Sequence, residues 1–172
     1  FILQERQQAQ ARKARGDFLN SLVWWKQHLE NIPQELTLPL DRERPSMASG
    51  KAGFLPFSIS NEKIRKLESL CSAEGSELLS GLIAIWASIL LRRSTLGGER
   101  ELILGYARHR RGLHSSIQKE VIGCFKTVLP LVISQPNELS FRAAVNSTQS
   151  ELVACITHSD VPIHETVQAV CN

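Results

Sequence analysis

The run from Leu78 to Leu91 constrains this chain more than any other stretch. Leu78, Leu79, Leu82, Ile83, Ile85, Trp86, Ile89 and Leu90 leave almost no polar side on a helical wheel. An apolar surface that wide predicts a central core helix over 77–93. Ser80, Gly81 and Ser88 interrupt the run, and it is too short to cross about 30 Å of hydrocarbon, so no membrane segment is expected.

The elements on either side read as cover for that helix. Phe18, Leu22, Trp25 and Leu29 recur at three- and four-residue spacing within a leading helical region over 1–30, where Gly16 marks a candidate break. Pro33, Pro39 and Pro45 punctuate 31–50, and their fixed φ and missing N–H groups predict an extended surface crossing. Residues 51–172 then form the α/β core. Ala52 to Ser60 alternates, with Leu55, Phe57 and Ile59 on one side, and predicts a strand that Pro56 places at a sheet edge. Asn61 is a candidate cap for a helix burying Ile64, Leu67 and Cys71, and Gly75 is its left-handed stop.

Glu101 to Ala107 predicts a short buried strand that delivers Arg108, His109, Arg110 and Arg111 to its end, followed by a polar loop over 112–120. Val121 to Ser134 predicts another strand, bent near Pro130. Phe141, Ala144, Val145, Thr148, Leu152 and Cys155 share one face of a helix over 140–157, and Pro162 suits the first turn of a last helix over 163–170.

With 172 residues and 42% hydrophobic content, the chain suits one compact α/β unit or one half of a bilobed domain. A net charge of +3 gives no dense basic surface, so nucleic acid is not an expected partner. Cys71, Cys124, Cys155 and Cys171 form no Cys-x-x-Cys pair and no three histidines show ligand spacing, so neither a metal site nor a redox dithiol is expected. Reduced, buried thiols suit a cytoplasmic protein. The opening at Phe1, with no methionine or signal-peptide pattern, reads as a cut from something longer. Ser76, Ser115 and Ser116 lack a nucleophile-elbow context, and Gly97-Gly98 leads into a strand instead of a phosphate-binding helix start.

Several blocks, in order, resemble the condensation domains of nonribosomal peptide synthetases. They are WKQHL at 25–29, PLDRERP at 39–45, Phe57 to Ile64, RRG at 110–112, IGCFKTVLPL at 122–131 and HSDVPIHETV at 158–167. Each is weak alone, and their succession over nearly the whole chain is specific. The resemblance implies a chloramphenicol-acetyltransferase-like fold of two α/β lobes, each with a mixed sheet packed by helices. This chain matches the second, C-terminal lobe. The implied activity is amide-bond-forming acyl transfer between carrier-bound aminoacyl or peptidyl thioesters.

The family's His-His-x-x-x-Asp-Gly motif belongs to the first lobe and is not found in these 172 residues. The resemblance therefore implies no catalytic residue here and an inactive fragment in isolation. It implies a tunnel wall carrying Gly123, Phe125, Thr127 and Arg111, with His158 and Pro162 as structural residues near the tunnel. Thr127 stands where the family has asparagine, which removes an amide able to donate and accept together. Arg110 reads as one half of a structural ion pair. No cofactor is bound directly, and 4'-phosphopantetheine is carried by partner proteins. Implied partners are the N-terminal lobe of the same domain, peptidyl carrier proteins and an adjacent adenylation domain. The alternatives are a degenerate, non-catalytic module that recruits a carrier protein, and one lobe of a coenzyme A-dependent acyltransferase.

Overall fold

The computed structural model describes residues 10–11, 16–32, 36–43, 45–47, 49–94, 100–109, 122, 125–135 and 140–171. Helix α1 (Asp17–Leu29) is followed by α2 (Asn61–Ala73), α3 (Leu78–Arg93), β1 (Glu101–His109), β2 (Lys126–Ser134), α4 (Phe141–Thr157) and α5 (Ile163–Cys171). The α/β class is as expected. Among the described residues the sheet consists of β1 and β2. The Gln135 N–H donates to the Arg100 carbonyl at 2.7 Å, while Gly105 lies against Val128. A pairing that advances on one strand as it retreats on the other makes them antiparallel.

The chain divides into two compact units. One comprises 1–33, 103–132 and 150–172, and the other 34–102 and 133–149. In the first, Phe18, Trp25, Leu129, Leu131, Leu152, Cys155 and Val161 are buried. Trp25 is the largest of these, and removing its 150–250 Å² from water is worth roughly 4–6 kcal/mol. Leu129 and Leu131 occupy alternate positions of β2, the period-two burial of a strand, in a segment where β-branched and aromatic composition predicted one.

The second unit is built on a sharp helix corner. Gly75, at φ 67°, ends α2, and α3 leaves at 108° to it. The helices meet through small groups, since a Cβ added at Gly81 would lie 2.5 Å from Cys71 Sγ. Cys71, Ala84, Ala144 and Val145 form the core there, with Leu67 and Leu70 packed against it. The N-terminal half of α4 is tied to this corner by polar groups. Gln149 Oε1 accepts from Ser80 Oγ at 2.7 Å and from the Glu77 N–H at 2.9 Å, and Asn146 Nδ2 donates to Glu74 Oε2 at 3.1 Å. Arg142 pairs with Glu74. These two partners, Arg142 first, hold the Glu74 carboxyl below the usual carboxylate range.

Three expectations change. Residues 51–60 form no strand and are exposed throughout, with Phe54 at 92%. Alternation specifies which face a strand would bury, and pairing still requires a neighbouring strand, which these residues lack among the described ones. Helix α3 is not sheathed on all sides. It buries Ser80, Gly81, Ala84 and Ala87 and leaves Ile85, Trp86 and Ile89 exposed. Close helix approach selects the small side, whereas apolar width on a wheel does not distinguish small from large. The N-cap of α2 is Ser60, with Asn61 as the first helical residue. Among the described residues no single helix is long and apolar enough to cross a membrane.

Candidate functional site

The structure gathers polar and aromatic side chains in the first unit around the C-terminal end of α4. Two facts of the sequence position them. Trp24, Trp25 and His28 fall within one turn of α1, and Glu151 and Cys155 lie four residues apart on α4, hence on one face.

Trp25 Nε1–H donates to the His158 backbone carbonyl at 2.8 Å, and His158 Nδ1 shares a hydrogen bond of 3.1 Å with Ser21 Oγ. Both ends of this pairing are shielded, because Trp25 and Ser21 are buried. The imidazoles of His28 and His158 each stack on the Trp24 indole, with ring centroids 4.3 Å apart and near-parallel planes. Just beyond, Pro162 opens α5, its carbonyl accepting the N–H groups of Glu165 and Thr166. Proline fits here because its fixed φ and missing donor cost nothing in a first turn.

Glu151 Oε1 accepts three hydrogen bonds: from His28 Nε2 at 2.8 Å, from the Val132 N–H at 2.8 Å and from Cys155 Sγ at 3.2 Å. A carboxylate only accepts, so the His28 proton on this side sits on Nε2. Burial, and then the Glu151 charge, push the Cys155 thiol well above its ordinary range. Cys155 and Cys71 are both buried, free thiols.

Of the residues singled out in the sequence, His158 and Pro162 are in this cluster. Cys155 Sγ reaches the Pro130 carbonyl at 3.5 Å and Glu151 reaches Val132, so β2 runs antiparallel to α4. That direction carries half-buried Thr127 and Phe125 toward the His158 end of the helix. Gly123, Arg110 and Arg111 lie outside the described residues. His109, expected just past the end of the 101–107 strand, is the last residue of β1, and its neighbour Arg108 donates to Ser159 Oγ at 3.2 Å. Sequence reasoning missed the convergence of His28 on Glu151 and Cys155. The signal available was the i, i+4 spacing of the last two, while the histidine stands 123 residues away.

A separate open groove of about 480 Å³ runs between α1 and α5, lined by Leu22, Val23, Lys26, Glu165, Gln168 and Ala169. It presents one cation and one carboxylate over an apolar floor, and neither the His28–Glu151–Cys155 group nor His158, Pro162, Thr127 or Phe125 lines it.

Comparison with known proteins gives a consistent picture. Phosphinothricin tripeptide synthetase PhsB of Streptomyces viridochromogenes is 28% identical over 163 residues, 95% of this chain and 13% of that protein. Enniatin synthase of Fusarium equiseti is 26% identical over 99% of this chain and 5% of its own length. The chain thus spans a small part of these relatives. Among solved structures, the X-domain from teicoplanin biosynthesis matches with a TM-score of 0.81 at 24% identity, over 94% of this chain and 36% of that one. The first condensation domain of the CDA synthetase matches with a TM-score of 0.70 at 17% identity, over 94% and 34% respectively. The fold is therefore that of the chloramphenicol-acetyltransferase-like condensation domains. The family model for the condensation domain matches residues 4–170, and with that match the chain belongs to the condensation-domain family.

Proposed function

We propose that residues 1–172 are the second lobe of a condensation domain that joins carrier-bound aminoacyl or peptidyl thioesters by an amide bond in nonribosomal peptide synthesis. One observation carries this reading: the family match runs from residue 4 to residue 170 while the sequence holds no His-His-x-x-x-Asp-Gly stretch. Proton handling at the attacking amine then falls to a first lobe. This lobe supplies tunnel wall and a carrier-docking surface. Tethering of both substrates removes much of the entropic barrier, so a wall that orients them contributes to rate without donating or accepting a proton.

Thr127, Phe125, Gly123 and Arg111 are assigned to the wall, and His158 and Pro162 to its structural support. The Trp25–His158 bond and the stacking on Trp24 favour support over chemistry for His158, because its ring and its carbonyl are both engaged. The reading includes 4'-phosphopantetheine on partner carriers, a neighbouring adenylation domain and a cytoplasmic site of action, the last favoured by the free thiols Cys71 and Cys155.

The test is condensation by the parent domain, with both lobes present and two loaded carriers supplied. The expected result is extended product on the acceptor carrier, and none from residues 1–172 alone. Product formed by these residues alone would overturn the assignment. A second reading, a non-catalytic recruiting module, is favoured by one similar structure, that of a teicoplanin X-domain in complex with OxyB. An inactive two-lobe domain that still binds a partner protein would select it.

A further inference from the structure

We propose that His28, Glu151 and Cys155 form a binding site for a single zinc-like divalent cation that clamps α1 to α4. Among the described residues these three offer one nitrogen, one oxygen and one sulfur ligand atom, all within 4.8 Å of one another. Imidazole nitrogen, carboxylate oxygen and thiolate sulfur are each donors that zinc takes, and three protein ligands leave the fourth position to water. Such a site is independent of the peptide-bond reading.

The surroundings have the features that hold ligands in place. Glu151 and Cys155 come from one helical face, so the backbone fixes their relative position. His28 is held by its stack on Trp24, and Glu151 is pinned by the Val132 N–H at 2.8 Å. Such outer contacts orient ligands in metal sites generally. The fit requires the two Glu151 separations to open slightly and the remaining donor separation, up to 4.8 Å, to close by about 1 Å. Donors about 2.0–2.3 Å from a tetrahedral ion sit roughly 3.3–3.7 Å apart, whereas His28 Nε2 and Cys155 Sγ lie 2.8 and 3.2 Å from Glu151 Oε1. Rotamer shifts of that size are within reach of side chains on two helices.

Cys155 gives up its thiol proton to solvent as Sγ bonds the ion, so one proton leaves per ion bound. Binding takes the neutral imidazole, in which His28 carries its ring proton on Nδ1 and offers the Nε2 lone pair. Thiolate and carboxylate together neutralise the double charge of the ion. No redox change occurs.

The test is titration of the chelator-treated, purified protein with Zn²⁺ alone and, in parallel, with Co²⁺ followed by absorption. The expected result is one equivalent bound and a thiolate-to-cobalt charge-transfer band. Affinity should fall by more than about 100-fold in Cys155→Ser and in His28→Gln, beyond what loss of an outer contact gives, and should be unchanged in Cys71→Ser. Absence of stoichiometric binding, or binding indifferent to both ligand substitutions, would overturn the site. Should a variant fail to fold, zinc-edge X-ray absorption of the wild type decides the matter. A shell with one sulfur and one imidazole supports the site, and a sulfur-free or two-sulfur shell excludes it.

Discussion

The Trp25 indole N–H bonds to the backbone carbonyl of His158 across 133 residues of sequence, at 2.8 Å. With the Ser21 hydrogen bond and the Trp24 stack, this contact joins α1 to the turn that links α4 and α5. It gives the family-like tryptophan of α1 a physical role, which is to donate to a carbonyl at a helix end, where the helix itself supplies no partner.

Replacing Trp25 tests that role. Trp25→Phe keeps most of the buried ring and removes the donor, so unfolding free energy should drop by about 1–3 kcal/mol. Trp25→Ala adds a cavity and should cost about 3–5 kcal/mol. Denaturant titration of both variants separates the two effects, and a Trp25→Phe variant as stable as wild type would mean that the hydrogen bond contributes nothing.

Gly81 makes the opposite prediction from the one helix propensity gives. In an exposed helix Gly→Ala stabilises by about 1 kcal/mol. Here the added Cβ would lie 2.5 Å from Cys71 Sγ, so Gly81→Ala should destabilise by about 1–3 kcal/mol. Adding Cys71→Ala to Gly81→Ala removes the clashing sulfur. A double-mutant cycle should show favourable coupling, whereas strict additivity would contradict the close contact.

Acid sensitivity should depend on Glu74. Its folded-state pKa is depressed by Arg142 and then Asn146, so its contribution is present above the unfolded-state value near 4.3. That contribution is lost as pH falls through the lower folded value. Arg142→Gln should therefore leave stability at pH 2 nearly unchanged while lowering it at neutral pH. Thermal melts across this range check the sign, and a variant that loses stability only at low pH would contradict it.

The legible part of the fold is the part governed by period and punctuation. Gly75 ended its helix as read, and Leu129 and Leu131 alternate as a strand requires. Residues 52–60 carry an equally clean alternation and form no strand, because period encodes the face a strand would bury and says nothing of whether a neighbour is there to pair. In α3 the apolar count concealed the packing side. Gly81, Ala84 and Ala87 are buried because they are small, while Trp86 is 54% exposed. For the site, the resemblance pointed to His158 and Pro162. The three groups that meet at Glu151 come from α1, β2 and α4, and only folding brings them together.

The most direct measurement is the single-turnover rate of amide-bond formation by the two-lobe domain with Thr127→Val, a change that removes the hydroxyl and keeps the shape. If β2 of this lobe lines the reaction tunnel, the rate should drop by about 10- to 100-fold while the denaturation midpoint stays put. A rate equal to wild type in a variant of unchanged stability would contradict the assignment of this strand to the tunnel wall.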